Sequence, residues 1–85
     1  MKQREEWRPI LEAEIKRWSA KSAEELLSEL SDEQCYDIEW AGKNYQIEVH
    51  LFENTNTYLL VGVSVDDGSI TASFSPLSSS FRTTK

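Results

Sequence analysis

Apolar and polar residues alternate along residues 35 to 75 of the chain. A period of two is typical of antiparallel strands that bury one face and leave the other accessible. The pattern predicts four strands, over about residues 35–41, 44–53, 57–66 and 69–75. The apolar positions predicted to share the inner face are Tyr36, Ile38, Trp40, Tyr45, Ile47, Val49, Leu51, Leu59, Val61, Val63, Val65, Ile70, Ala72 and Phe74.

Three short loops join the predicted strands and determine which residues lie opposite each other. The predicted loops are Gly42-Lys43, Asn54-Thr55-Asn56 and Asp67-Gly68. The Asp-Gly loop is the strongest of these signals, because type I′ hairpin turns need positive φ at both central positions. The loops place Tyr45 opposite Trp40, Leu59 opposite Leu51 and Ile70 opposite Val65. Apolar residues meet apolar residues in each pair, as a single buried face requires.

Two helices are predicted before the first strand. Apolar residues recur every three or four positions from Trp7 to Trp18, which predicts an amphipathic helix over about residues 6–20. Pro9 fits this helix if it lies in the first turn, where its missing N–H has no partner to lose. Ser22 and Glu25 have the spacing of a capping box, which predicts a second helix over about residues 23–31.

The chain of 85 residues is expected to form one small domain, residues 1–85. Helices this short are not stable alone, so both are expected to pack on the apolar face of the sheet. The predicted fold is therefore α+β, with two N-terminal helices packed on one face of a four-stranded antiparallel β-meander. Residues 76–85 are rich in Ser and Thr and are predicted to form an irregular tail.

Negative charge is concentrated in the middle of the chain. The whole chain carries a net charge of −6, whereas residues 22–68 contain one Lys and eleven Asp or Glu, a net charge of −10. Such a segment repels the phosphates of nucleic acid, so no nucleic-acid partner is expected. It favours a basic protein partner through electrostatic steering, although a solvated acidic face that keeps the protein soluble explains the same charge.

Several other classes of protein are disfavoured by the sequence. No apolar run approaches the roughly 20 residues of a membrane-spanning helix, and the first residues lack a secretory pattern, so no membrane partner is expected. Cys35 is the only cysteine, which precludes an intrachain disulfide and fits a cytoplasmic protein. No Gly-rich phosphate loop is present, and no cofactor is predicted.

The only cysteine and the only histidine face each other in the predicted register. Cys35 lies opposite His50, and Asp37 lies opposite Glu48. A thiol beside an imidazole is the minimal arrangement for an activated nucleophile, and the two carboxylates with either group could hold a divalent cation. The alternative is an ordinary surface, with a weakly buried thiol beside a histidine and two solvated acids.

A second group on the same predicted face is aromatic and aliphatic. Phe52 is expected opposite Tyr58 and His50 opposite Leu60, with a shallow dip at Gly62. Exposed apolar patches on small proteins tend to be contact surfaces, so these four side chains are predicted to form an interaction site. Two structural alternatives are that the tail folds over the patch and that it is an ordinary cross-strand pair.

The chain resembles a group of short, uncharacterised bacterial proteins of unknown function. The segments that carry the resemblance are Trp18-Ser19-Ala20-Lys21-Ser22, Glu25-Leu26-Leu27, Val65-Asp66-Asp67-Gly68-Ser69 and Pro76-Leu77-Ser78-Ser79-Ser80-Phe81. The resemblance implies a bacterial cytoplasmic setting and no particular activity. The function expected from the residues is a small interaction or regulatory module that binds protein, or a second copy of itself, through the uncovered sheet face. The alternative is a minor enzyme or metal-binding protein that uses the Cys35/His50 pair.

Overall fold

A computed structural model of the protein describes residues 2–67 and 77–85, with side chains from residue 6 onward. Its elements are α1 (Lys2–Ser19), α2 (Ala23–Glu29), β1 (Gln34–Trp40), β2 (Lys43–Asn54), β3 (Tyr58–Asp66) and β4 (Leu77–Thr84). The strands form one antiparallel sheet in the order β1-β2-β3-β4. The predicted α+β class and the four-stranded antiparallel sheet are therefore confirmed.

The two helices differ in how closely they follow the prediction. α1 begins at Lys2, earlier than predicted, so Pro9 lies inside the helix and not in its first turn. The capping box of α2 forms as predicted, because Ser22 Oγ accepts a hydrogen bond from the Glu25 N–H at 3.1 Å and the Glu25 carboxylate accepts from the Ser22 N–H at 3.3 Å. Among the described residues, no helix is long and apolar enough to cross a membrane.

The first hairpin turns one residue earlier than predicted. Its loop is Ala41-Gly42, with φ of 51° and 79°, and not Gly42-Lys43. Positive φ at both central positions is what a type I′ turn requires. This change shifts the register by two, so that Trp40 pairs with Lys43 and Tyr45 pairs with Ile38. A shift of two leaves every side chain on its predicted face.

The second hairpin contains a β-bulge that the sequence pattern did not indicate. The register shifts between Leu51 and Glu53, which leaves Phe52 without a partner opposite it. Leu51 pairs with Val61, and not with Leu59 as predicted. A bulge adds one residue to one strand and changes its bend and twist, so it re-aims the side chains around it.

The fourth strand is the main correction to the predicted fold. The strand that pairs with β3 is Leu77–Thr84, within the segment predicted to be an irregular tail. Val65 pairs with Leu77 and Val61 with Phe81, so the predicted pairing of Val65 with Ile70 is wrong. The predicted strand over residues 69–75 lies outside the described residues.

One apolar core joins residues of both helices and the sheet. Its buried members are Trp7, Ile10, Leu11, Trp18, Leu26, Leu30, Tyr45, Ile47, Val49, Leu59, Val61, Val63 and Val65. The rings of Trp7 and Tyr45 meet edge to face at 6.2 Å between centroids. Leu77 and Phe81 of β4 pack against this core, half-buried. Trp40, predicted on the inner face, lies at the hairpin end and is 39% exposed.

A polar cluster links α1 to β1 beside the core. Trp18 Nε1 donates a hydrogen bond to the Tyr36 hydroxyl at 2.8 Å, and that hydroxyl donates to the buried Glu14 carboxylate. Arg17 lies 3.6 Å from the same carboxylate. Burial and the hydrogen bond to Glu14 raise the pKa of Tyr36 to about 12. The neutral hydroxyl is therefore the form that the folded chain stabilises.

Candidate functional site

The sheet face that points away from the core carries the candidate site and is called the outer face. On β2 and β3 its residues alternate with the buried apolar ones. Its members on these strands are Gln46, Glu48, His50, Phe52, Tyr58, Leu60, Gly62 and Ser64. β1 adds Cys35, Asp37 and Glu39, and β4 adds Ser78, Ser80 and Arg82.

The predicted pairing of Cys35 with His50 does not form. The register of the first hairpin places Cys35 opposite Glu48 and Asp37 opposite Gln46. The Cys35 thiol donates a weak hydrogen bond to the Glu48 carboxylate, with 3.8 Å between Sγ and Oε1. Desolvation and the negative charge of Glu33 and Glu48 raise the pKa of the Cys35 thiol. A raised thiol pKa does not favour the thiolate form on which a nucleophilic cysteine depends.

A different set of three side chains comes together where the nucleophile was predicted, with His50 beside one of them. Donor atoms of Glu33, Cys35 and Glu48 all lie within 4.8 Å of one another. His50 Nδ1 lies 3.3 Å from Glu33 Oε1. The sequence-based prediction included Asp37 in this set and omitted Glu33. Glu33 lies two positions before Cys35, so continuing the strand alternation by one step would have placed it on the outer face.

Phe52 is the most exposed large apolar side chain among the described residues, at 56%. The edge of its ring lies over Gly62, where an added Cβ would come within 2.2 Å of Phe52 Cε2. The His50 ring meets the Phe52 ring edge to face, with 4.4 Å between centroids. The predicted dip at Gly62 is thus occupied by Phe52, which the absence of a side chain at Gly62 permits.

Tyr58 and Leu60 continue the outer face along β3, beyond Gly62. Both are half-buried, and neither lies opposite the residue predicted. Leu60 pairs with Glu53 on one side and Arg82 on the other. The Arg82 guanidinium stacks on the Tyr58 ring at 4.2 Å, and the Tyr58 hydroxyl donates to Glu53 at 3.3 Å. Arg82 was missed because its segment was predicted to be an irregular tail.

The outer face therefore offers two different chemistries. At the β1–β2 end it holds two carboxylates, a thiol and an imidazole. Towards β4, His50 and Phe52 lie across from the three serines of residues 78–80, around a shallow cleft of about 260 Å³. The chain matches no model of a known family, no curated protein and no solved structure, so its function has to be argued from these residues.

Proposed function

We propose that the chain is a small protein-binding module that binds a partner protein, or a second copy of itself, through the outer face around Phe52. The observation that carries this proposal is the 56% exposure of Phe52. Water contact with an aromatic ring costs free energy that a partner would recover by covering it. Aromatic side chains are also common among the few residues that dominate binding energy at protein interfaces.

The proposal includes the arrangement of the helices. We propose that α1 and α2 cover the inner face of the sheet, which leaves the outer face free for a partner. The contact of Trp7 with Tyr45 and the hydrogen bond from Trp18 to Tyr36 support this arrangement, because both sheet residues are on the inner face. A two-layer domain of this kind buries one face of its sheet and solvates the other.

The surroundings of Phe52 have the composition of an interface rim. Glu53 and Arg82 provide both signs of charge on the outer face beside the apolar ring, and a polar rim around an apolar centre is typical of protein interfaces. Asp37 and Glu39 add negative charge on β1. A partner with basic groups fits this end, and a bacterial cytoplasm is the setting we propose from the resemblance and the exposed free thiol of Cys35.

Replacing Phe52 with serine is expected to weaken binding by about tenfold or more, the loss typical of an aromatic residue that dominates an interface. The measurements are light scattering over a range of concentrations for self-association, and calorimetry for any partner retained by the full chain. Trp40→Ser is the matched control, because Trp40 is also exposed but lies at the end of the first hairpin. The proposal would be contradicted if the chain stays monomeric and retains no partner. It would also be contradicted if Phe52→Ser binds as tightly as the wild type.

Gly62→Ala tests the position of the Phe52 ring while leaving its chemistry unchanged. The added Cβ would overlap the far edge of the ring, which is free to swing outward because it is solvent-exposed. We expect the His50 ring protons to change chemical shift in proton NMR as Phe52 leaves, and binding to weaken. Stability should change by no more than about 1 kcal/mol. Ser80→Ala, opposite Gly62 on β4, is the control, and unchanged His50 shifts in Gly62→Ala would count against this geometry.

A further inference from the structure

We propose that Glu33, Cys35 and Glu48, with His50 beside Glu33, form a binding site for a zinc-type divalent cation at the β1–β2 end of the outer face. The site shares His50 with the surroundings of Phe52, whereas Glu33, Cys35 and Glu48 are separate from them. It is built on the register of the first hairpin, which places Cys35 opposite Glu48. Glu33 lies two residues before Cys35 and His50 two residues after Glu48, and the two side chains are 3.3 Å apart.

Two of the distances between donor atoms are close to those on a tetrahedral zinc ion. With Zn–S near 2.3 Å and Zn–O or Zn–N near 2.0 Å, a tetrahedral site has about 3.5 Å between sulfur and oxygen and about 3.3 Å between nitrogen and oxygen. The chain has 3.8 Å between Cys35 Sγ and Glu48 Oε1. It has 3.3 Å between His50 Nδ1 and Glu33 Oε1. Glu33, Cys35 and Glu48 could therefore hold a cation after small adjustments, and the His50 ring would turn towards it to become the fourth ligand.

The donor set distinguishes this cluster from a group of surface acids. It combines a thiol, an imidazole and two carboxylates, and the thiol and imidazole favour zinc over magnesium or calcium. The pairing of Cys35 with Glu48 in the sheet positions two of the donors, and Glu33 directly precedes β1. Glu48 accepts hydrogen bonds from Cys35 and Ser64, but it has no salt bridge with Lys or Arg in the described part of the chain.

The electrostatics of the cluster also favour a cation. The carboxylates of Glu33 and Glu48 lie within 4.8 Å of the Cys35 sulfur, and their negative charge would attract a positive ion. Zinc binds the thiolate, so binding would release the thiol proton to solvent while the sulfur–metal bond forms. No redox change is needed, because zinc and all four donors keep their oxidation states.

The test is a titration of the reduced full chain with zinc by calorimetry, and with cobalt by absorption spectroscopy. We expect one equivalent of zinc to bind, cobalt to give thiolate charge-transfer absorption, and magnesium not to compete. Cys35→Ser and Glu33→Gln are each expected to weaken zinc binding by about tenfold or more, as loss of a group around a metal usually does. Asp37→Asn is the matched control, because Asp37 lies on the same face of β1 but opposite Gln46.

Two results would overturn the site. One is the absence of zinc binding by the wild-type chain, and the other is equal zinc affinity in the wild type and in Cys35→Ser. Cys35 is exposed and the Glu33 side chain is half exposed, so both variants should keep the circular dichroism spectrum of the wild type. Phe52→Ser should bind zinc normally, so failure of partner binding and failure of the metal site are separate outcomes.

Discussion

A chain that ends after residue 76 is expected to be largely unfolded at room temperature, because it lacks β4. This strand pairs with β3 from Leu77 to Thr84 and brings Leu77 and Phe81 to the core. Its loss would also expose one side of Val61 and Val63. Fully burying one such apolar side chain contributes about 1.5–3 kcal/mol. The combined loss is comparable with the total stability of a small domain, about 5–15 kcal/mol.

The measurement is urea unfolding followed by circular dichroism and tryptophan fluorescence. The control removes only Lys85, which costs the backbone hydrogen bond to Thr57 O and the side-chain hydrogen bond to Asn54 Oδ1. That shorter deletion is expected to lower the free energy of unfolding by no more than about 1–2 kcal/mol. A cooperative unfolding transition of wild-type size in the chain that ends after residue 76 would contradict the role of β4.

Tyr36→Phe is expected to lower the free energy of unfolding by about 1–3 kcal/mol, since it leaves buried polar groups without their partner. The hydroxyl that is lost accepts from Trp18 Nε1 and donates to the Glu14 carboxylate, which is 8% exposed. Tyr58→Phe is the matched control, because its hydroxyl bonds to the exposed Glu53 at 3.3 Å. The control should change stability by less than about 0.5 kcal/mol. Equal effects of the two substitutions would show that the cluster does not secure α1 to β1.

The same tyrosine gives the protein a predicted pH dependence in alkaline solution. The pKa of Tyr36 is raised from 10.0 to about 12 in the folded chain, so folding favours the protonated hydroxyl. This contribution is complete below the unfolded pKa and is lost as the pH rises from 10.0 towards about 12. We expect the wild type to lose more unfolding free energy than Tyr36→Phe over this interval, in urea titrations at matched pH. A parallel decline in both would contradict the assignment.

The pattern of the sequence correctly predicts the strands β1 to β3, the capping box of α2 and the face that the side chains of these strands occupy outside the bulge. The alternation of Tyr45, Ile47 and Val49 is enough, because side chains change face at every residue whatever the strand is paired with. The first hairpin shows this well. Its register differs by two from the predicted one, and every side chain still lies on its predicted face.

The sequence pattern did not predict which residues lie opposite each other across the sheet, and the candidate sites consist of such pairs. Moving one loop to Ala41-Gly42 exchanges His50 for Glu48 opposite Cys35, which replaces a predicted nucleophile with a group of metal-type donors. The bulge at Phe52 separates Phe52 from Tyr58 and places its ring over Gly62. Loops that differ by one residue satisfy the same alternation, so local sequence does not distinguish between them.

Strand β4 is a whole strand that the local sequence pattern did not predict. Residues 77–84 contain three consecutive serines between Leu77 and Phe81 and end in Arg-Thr-Thr, so their local pattern favours a tail over a strand. In the folded chain this segment pairs with β3 and packs Leu77 and Phe81 against the core. The alternation of apolar and polar residues and the distribution of charge along the chain are local properties, and the sequence alone determines them. Which segment completes a sheet depends on free energy gained only when distant residues meet, so the tertiary structure decides it.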